Sequence, residues 1–421
     1  MNKSVYDLYR TAKEKYSEFG IDTETALKAL EEIHLSVHCW QADDVTGFEQ
    51  AAGGLEGSGL AVTGNYPGRP RNMEEFRQDL EKAFSLIPGN HRLSLHASYG
   101  DFSSGFPGRD KIGPEHFRSW IEWAAEKKLK LDFNSTFFAH PMVRDGYTLA
   151  SRDKEVRDYW IEHGKRCREI SRAIGEAQND TCIHNIWIPD GSKDITPSRM
   201  EHREYLKESL DKILAEPMPP SLMKDSVESK LFGIGTESFV AGSHEFYLGY
   251  AVQNGLMLTL DIGHFHPTES IADKVSAVFL YIDELLFHVT RGIRWDSDHV
   301  VAFNDPLTEL MQELVWSGRL EKAHIGLDFF DATLNRIGAY AVGARNTLKA
   351  LLWALLLPTD KLKEYEREGR YFERLALYEE FKAMPWGAVW DHYCETHDTL
   401  PGSSYIGEIE KYEKEVLANR K

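Results

Sequence analysis

Short apolar, β-branched or aromatic runs recur along this chain, each parted from the next by a longer charged stretch with helical periodicity. We read strands at LSVHCW (35–40), RLSLHASY (92–99), LKLDFNST (129–136), HNIWIPD (184–190), VESKLFGI (227–234), LMLTLDIGH (256–264), LLFHVTR (285–291) and AHIGLDFF (323–330). Between them lie helical patterns such as PEHFRSWIEWAAEKK (114–128) and a long charged one over 151–177. Strands that alternate with helices must run parallel, joined by βαβ crossovers. Eight such units predict an α/β fold, a closed (β/α)8 TIM barrel. Residues 1–340 are assigned to the barrel and its leading N-terminal helices, and 341–421 to a helical C-terminal extension that packs on the barrel or on another subunit.

A barrel of this kind carries its chemistry at the carboxyl ends of its strands. The polar residues recur there: His38, His96, Asp132 and Asn134, Asp190, Lys230, Asp261 and His264, His288, and Asp328. The run LTLDIGHFHPTE (258–269) is the sharpest case, because an apolar strand ends in groups that resist burial unless something pairs with them. Asp261 and His264 would point apart on a regular strand, and Gly263 lets the chain turn so that they converge. In RWDSDHV (294–300), Asp296 and Asp298 share a face if extended, and two carboxylates so close repel unless a cation relieves them. With Glu228, His288 and Asp328 the set comprises five carboxylates and two imidazoles, Glu228, Asp261, His264, His288, Asp296, Asp298 and Asp328. Oxygen and imidazole donors without thiolate suit Mn²⁺, Co²⁺, Zn²⁺ or Mg²⁺, and seven ligands imply two ions.

Other residues suit a small polar substrate. Lys230 shares a face with Glu228 and can stabilise negative charge growing on a substrate oxygen; an ion pair with a carboxylate is the plainer alternative. His96 and Trp187 suit a sugar, the imidazole toward an oxygen and the indole face toward C–H groups, although either could belong to the core. GFEQAAGGLEGSGLAVTGNYPG (47–68), with seven glycines, is expected to form a mobile loop over the active face. A formal charge of -18 argues against a nonspecific grip on nucleic acid or anionic membrane. It also disfavours a barrel phosphodiesterase, which would need a basic strip. A sugar- or metal-binding barrel without turnover is the non-enzymatic alternative. Scattered cysteines, a polar N-terminus and apolar runs far short of the ~20 residues that span a membrane give the expectation of a soluble, cytoplasmic protein.

The segments HCWQADDVTGFE, TGNYPG, NIWIPDGSKDIT, VESKLFGIGTES, DIGHFHPTE, RWDSDHV and HIGLDFFDA together resemble the L-rhamnose isomerase family, and the likeness runs from the first helix to EKYEKEVLANR at the end. That resemblance implies a homotetrameric barrel related to xylose isomerase, which interconverts L-rhamnose and L-rhamnulose. It implies a first, structural ion on Glu228, Asp261, His288 and Asp328, and a second, catalytic ion on His264, Asp296 and Asp298, with Mn²⁺ as the expected metal. Lys230 matches the lysine near O1, and His96 the histidine near O5 that attends ring opening. On this basis Lys230, Asp298, Asp328 and His96 are the expected catalytic groups. His96, Trp187, Lys230 and Phe330 are the expected substrate contacts, and Phe133 is expected in an apolar pocket for the 6-methyl group. The expected reaction is a metal-assisted 1,2-hydride shift; transfer through an enediol is the alternative.

Overall fold

A computed structural model describes residues 3–49, 64–231, 238–293 and 297–420. Its centre is a closed barrel of eight parallel strands in sequential order: β1 (Ser36–His38), β2 (Arg92–His96), β3 (Lys130–Asn134), β4 (Cys182–Trp187), β5 (Met223–Glu228), β6 (Met257–Asp261), β7 (Leu285–Val289) and β8 (Ala323–Leu327), the last pairing back onto the first. The fold is thus the TIM barrel that the alternation predicts.

The fifth strand lies earlier than its sequence suggests. The expected run 227–234 contributes only its first two residues, and β5 instead begins at Met223 and reads MKDSVE. That string looks unlike a buried strand because its charges are satisfied by neighbours the sequence does not reveal. The Arg168 Nε donates to Asp225 Oδ2 at 3.0 Å, and the His184 Nδ1 lies 2.8 Å from Asp225 Oδ1. On the other side of the strand Lys224 reaches Glu284 at 2.7 Å. The displacement matters for function, since Glu228 becomes the last residue of the strand and faces the rim.

Helices ring the barrel, among them α1 (Lys3–Ser17), α2 (Thr23–Glu31), α3 (Met73–Phe84), α4 (Arg118–Lys127), α5 (Lys154–Gln178), α6 (Arg199–Ile213), α7 (His244–Asn254), α8 (Ala272–Phe279), α9 (Asp305–Trp316) and α10 (Arg336–Leu355). Asn72, Asp153, Asn304 and Asn335 cap the starts of α3, α5, α9 and α10 by accepting backbone N–H groups that have no partner within the helix. The long helix α5 approaches β5 so closely that a Cβ at Gly175 would lie 1.8 Å from the Leu222 carbonyl oxygen, so only glycine fits there. Helix α10 follows β8 and packs against α9, α2 and α3, and residue 340 lies inside it. Beyond it come α11 (Thr359–Arg367), α12 (Tyr371–Phe381), α13 (Trp386–Thr396) and α14 (Tyr405–Glu415), with α13 packed on α1.

All four cysteines are buried and unbridged. Among the described residues no helix is long and apolar enough to cross a membrane.

Candidate metal centre and pocket

Barrel interiors are usually filled by layers of branched aliphatic side chains. Here the upper layers are polar. On β2, β4, β5 and β6 the inward position two residues below the rim carries a small hydrogen-bonding group (Ser94, Asn185, Ser226 and Thr259), so the rim residues above rest on a polar floor. Asn134 donates to Ser94 Oγ at 2.7 Å, Ser226 and Thr259 hydroxyls lie 2.6 Å apart, and Thr259 donates to Asn185 Oδ1 at 2.8 Å.

Above that floor the strand ends converge. Glu228 closes β5, Asp261 closes β6, His288 lies in β7, and Asp328 follows β8. Each offers one ligand atom, and these four atoms lie within 4.8 Å of one another. The His288 Nδ1 stands 3.2 Å from Glu228 Oε1, 3.4 Å from Asp328 Oδ2 and 3.7 Å from Asp261 Oδ2. Room for this ring depends on Gly326, one strand over, where a Cβ would press to 3.1 Å from His288 Cδ2. The Trp40 Nε1 donates to Asp328 Oδ1 at 3.0 Å, which leaves Oδ2 turned toward His288.

The electrostatics express this crowding. Burial alone would raise the pKa of Glu228, yet the charge on His288 and hydrogen bonds from His264 and His288 hold it far below the usual carboxylate range. Burial likewise opposes a charged His288, and the Glu228 and Asp328 carboxylates overcome it and push that imidazole well above its usual value. Three carboxylates around one imidazole make a negative nest, and hard oxygen donors with one nitrogen are a donor set that could hold a divalent metal ion.

Two of the remaining expected ligands, His264 and Asp298, adjoin this cluster. The short helical turn after β6 brings His264 back over the rim, where its Nδ1 faces the Ser229 carbonyl oxygen at 2.8 Å and Glu228 Oε1 at 3.1 Å. A proton on Nδ1, donated to that carbonyl, leaves the Nε2 lone pair for a ligand. Asp298 lines the same pocket in a left-handed backbone conformation (φ 43°), and its carbonyl oxygen accepts the Phe330 N–H at 3.0 Å. Asp296 falls outside the described residues, as does most of the expected loop 47–68, whose positions 50–63 are not described.

The pocket over these groups opens to solvent and is walled by Trp40, Val45, His96, Phe138, Trp187 and Phe330. Lys230 stands at its edge, 3.4 Å from the His264 Nε2 and 4.7 Å above the Trp187 ring. His96 packs edge-on against Trp40 and Phe138, with its Nδ1 2.7 Å from Thr136 Oγ1. Burial depresses its pKa to about 3, so the ring is neutral and can accept or donate one hydrogen bond.

One expectation needs correcting, and three of the polar residues noted at strand ends prove to have internal partners. Phe133 is not in the pocket: the alternation of β3 sends its ring outward against Phe117, and Phe138 in the following loop takes the apolar position. Asp132 is tied by Arg92 at 2.9 Å, deeper in the barrel. Asp190 serves as an internal cap, accepting from the Thr148 hydroxyl and the Thr148 and Ala150 N–H groups. The His38 Nε2 bonds the Phe329 carbonyl oxygen. Conversely, Trp40 and Asn185 line the pocket without having been singled out. Asn185 lies two residues before Trp187, so strand periodicity alone places both on one face.

A family model described as L-rhamnose isomerase (RhaA) matches residues 3–420 of this chain. An L-rhamnose isomerase of Bacteroides thetaiotaomicron is 55% identical over 412 residues, covering 98% of each chain. One of Pectobacterium carotovorum is 51% identical over 421 residues, covering 100% of each. Among solved structures, an L-ribulose 3-epimerase superposes with a TM-score of 0.47 at 12% identity, covering 79% of this chain and 97% of its own.

Proposed function

The chain belongs to the L-rhamnose isomerase family of aldose–ketose isomerases, and from that premise we propose how its rim residues interconvert L-rhamnose and L-rhamnulose. The observation that carries the reading is the convergence of Glu228, Asp261, His288 and Asp328 at the ends of four successive strands. These four would hold a first divalent cation, with Mn²⁺ the expected ion and Co²⁺ or Zn²⁺ as substitutes. His264, Asp296 and Asp298 would hold a second. When bound, such cations polarise the carbonyl at C1 and acidify the hydroxyl at O2.

The chain's own groups supply the rest. His96, neutral and set between Trp40 and Phe138, faces the sugar and assists ring opening at O5. Trp187 offers its indole to C–H groups, and Phe330 lines the same pocket. Lys230, in the same wall as His264, stabilises negative charge developing on O1. Asp328, steadied by Trp40, or Asp298 directs the proton that moves between O2 and O1. The carbon-bound hydrogen then passes from C2 to C1 as hydride, since the carboxylates described at this rim are committed to the cation sites or to neighbouring donors.

We further propose a cytoplasmic homotetramer with the 341–421 tail at its contacts. Support comes from α12, which exposes Tyr371, Phe372 and Leu375 at 61%, 78% and 60%.

The test is chelation followed by add-back. Treatment with a chelator should abolish ketose formation from L-rhamnose, and Mn²⁺ should restore it, with Co²⁺ and Zn²⁺ compared singly. Full activity in the chelated protein would overturn the reading.

A further inference from the structure

We propose that Asn185 is a positioning residue that confines Glu228 to one metal-facing oxygen, and that Thr259 and Ser226 hold Asn185 to that task. The inference rests on the cation sites proposed above.

Strand register brings the four residues together. β4 and β5 pair Asn185 with Ser226 and Trp187 with Glu228, while β5 and β6 pair Glu228 with Thr259. Three adjacent strands therefore point Asn185, Ser226, Glu228 and Thr259 into one part of the barrel, and all four are buried. The contacts form an unbroken series. The Ser226 and Thr259 hydroxyls are 2.6 Å apart, Thr259 Oγ1 donates to Asn185 Oδ1 at 2.8 Å, and Asn185 Nδ2 donates to Glu228 Oε2 at 2.5 Å.

The direction of each bond is dictated. Because Thr259 spends its proton on the amide oxygen, it must accept from Ser226. If the amide were turned over, its oxygen would meet the carboxylate of Glu228, two acceptors in contact. A buried amide so fixed at both ends has one orientation, and its donor end grips Oε2. Oε1 is then the oxygen of Glu228 that faces both imidazoles, 3.1 Å from His264 Nδ1 and 3.2 Å from His288 Nδ1. A carboxylate whose Oε2 accepts a short bond from Asn185 is disfavoured from swinging to chelate a single ion through both oxygens. The series thus favours ligation through Oε1, the oxygen that adjoins His288 and the first proposed cation set.

The experiment measures Mn²⁺ binding alone to the chelator-treated full-length protein, by electron paramagnetic resonance of the free ion. Partners that orient metal ligands typically change affinity by about 10–100-fold when removed. Thr259→Val keeps shape and loses the hydroxyl; it should weaken Mn²⁺ by about tenfold, and it should lower the melting of the metal-free protein modestly, because the buried Asn185 Oδ1 loses its donor. Thr259→Ser keeps the hydroxyl and should bind close to wild type. Asn185→Leu should weaken binding further, toward about 100-fold. Should Asn185→Leu fail to fold, the Thr259 pair decides. Wild-type affinity in Thr259→Val, or equal losses in Thr259→Val and Thr259→Ser, would overturn the inference while leaving the cation sites standing. A wild-type protein that binds no Mn²⁺ would overturn both.

Discussion

Removing the guanidinium of Arg168 should cost this fold more than removing the charge of the carboxylate it serves, and the two losses should not add. Arg168 projects from α5 and meets Asp225 at 3.0 Å, with its Nη1 also donating to the Ile213 and Glu216 carbonyl oxygens at 3.0 and 2.8 Å. Both side chains are nearly sealed from solvent, at 5% and 6% exposed. Arg168→Met therefore strands a buried carboxylate with His184 as its remaining side-chain partner, a loss of about 3–5 kcal/mol. At roughly 2 °C per kcal/mol for a long chain, that lowers the apparent melting temperature by about 6–10 °C. Asp225→Asn keeps the shape and an acceptor for His184, and should cost about 2 kcal/mol as a lost charge-assisted bond. The double variant no longer buries a lone charge, so it should fall short of the summed cost by about 2 kcal/mol. Melting at one fixed scan rate suffices, since long chains often unfold irreversibly. Additivity within about 0.5 kcal/mol would refute the argument that β5 tolerates its charges only as a pair.

Three other outcomes are expected. L-rhamnose deuterated at C2 should carry the label to C1 of the ketose when isomerised in ordinary water; extensive washout into solvent would support the enediol route instead. His264→Ala should lose ketose formation while keeping one of two Mn²⁺ ions per chain by elemental analysis; loss of both would mean that the two sets are not separable. Glu284, whose pKa is held to about 2 chiefly by a hydrogen bond from His324 and, against burial, by Lys224, is a depressed carboxylate. Its contribution to stability is thus complete above the unfolded value near 4.5 and fades as pH falls toward about 2. Glu284→Gln should accordingly destabilise more at pH 6 than at pH 4 in chemical denaturation; an equal deficit at both would contradict the assignment.

How far the sequence could be read depended on whether a residue's partner was local. Strands such as β6 and β7 announce themselves because, Thr259 apart, they are apolar until the rim. β5 does not, since Lys224, Asp225 and Ser226 are neutralised by Glu284, Arg168 and Thr259, which lie 60, 57 and 33 positions away in the chain. The same holds at the site. Asp261, His264 and His288 stood out as polar groups closing apolar strands, whereas Asn185 in HNIWIP gives no sign that its amide grips Glu228. Polar residues with purely internal duties, Asp190 and Asp132, are indistinguishable from ligands until the N–H groups and the arginine that occupy them are in view. Phe133 and Phe138 differ in role only because one lies within a strand, facing the helices, and the other in the loop beyond it.

The account depends on divalent cations making the acidic rim tolerable, and an anomalous difference map from crystals soaked in Mn²⁺ tests that most directly. It should show a strong peak enclosed by Glu228, Asp261, His288 and Asp328, and a second beside His264 and Asp298. A map with no density among the first four residues would contradict it.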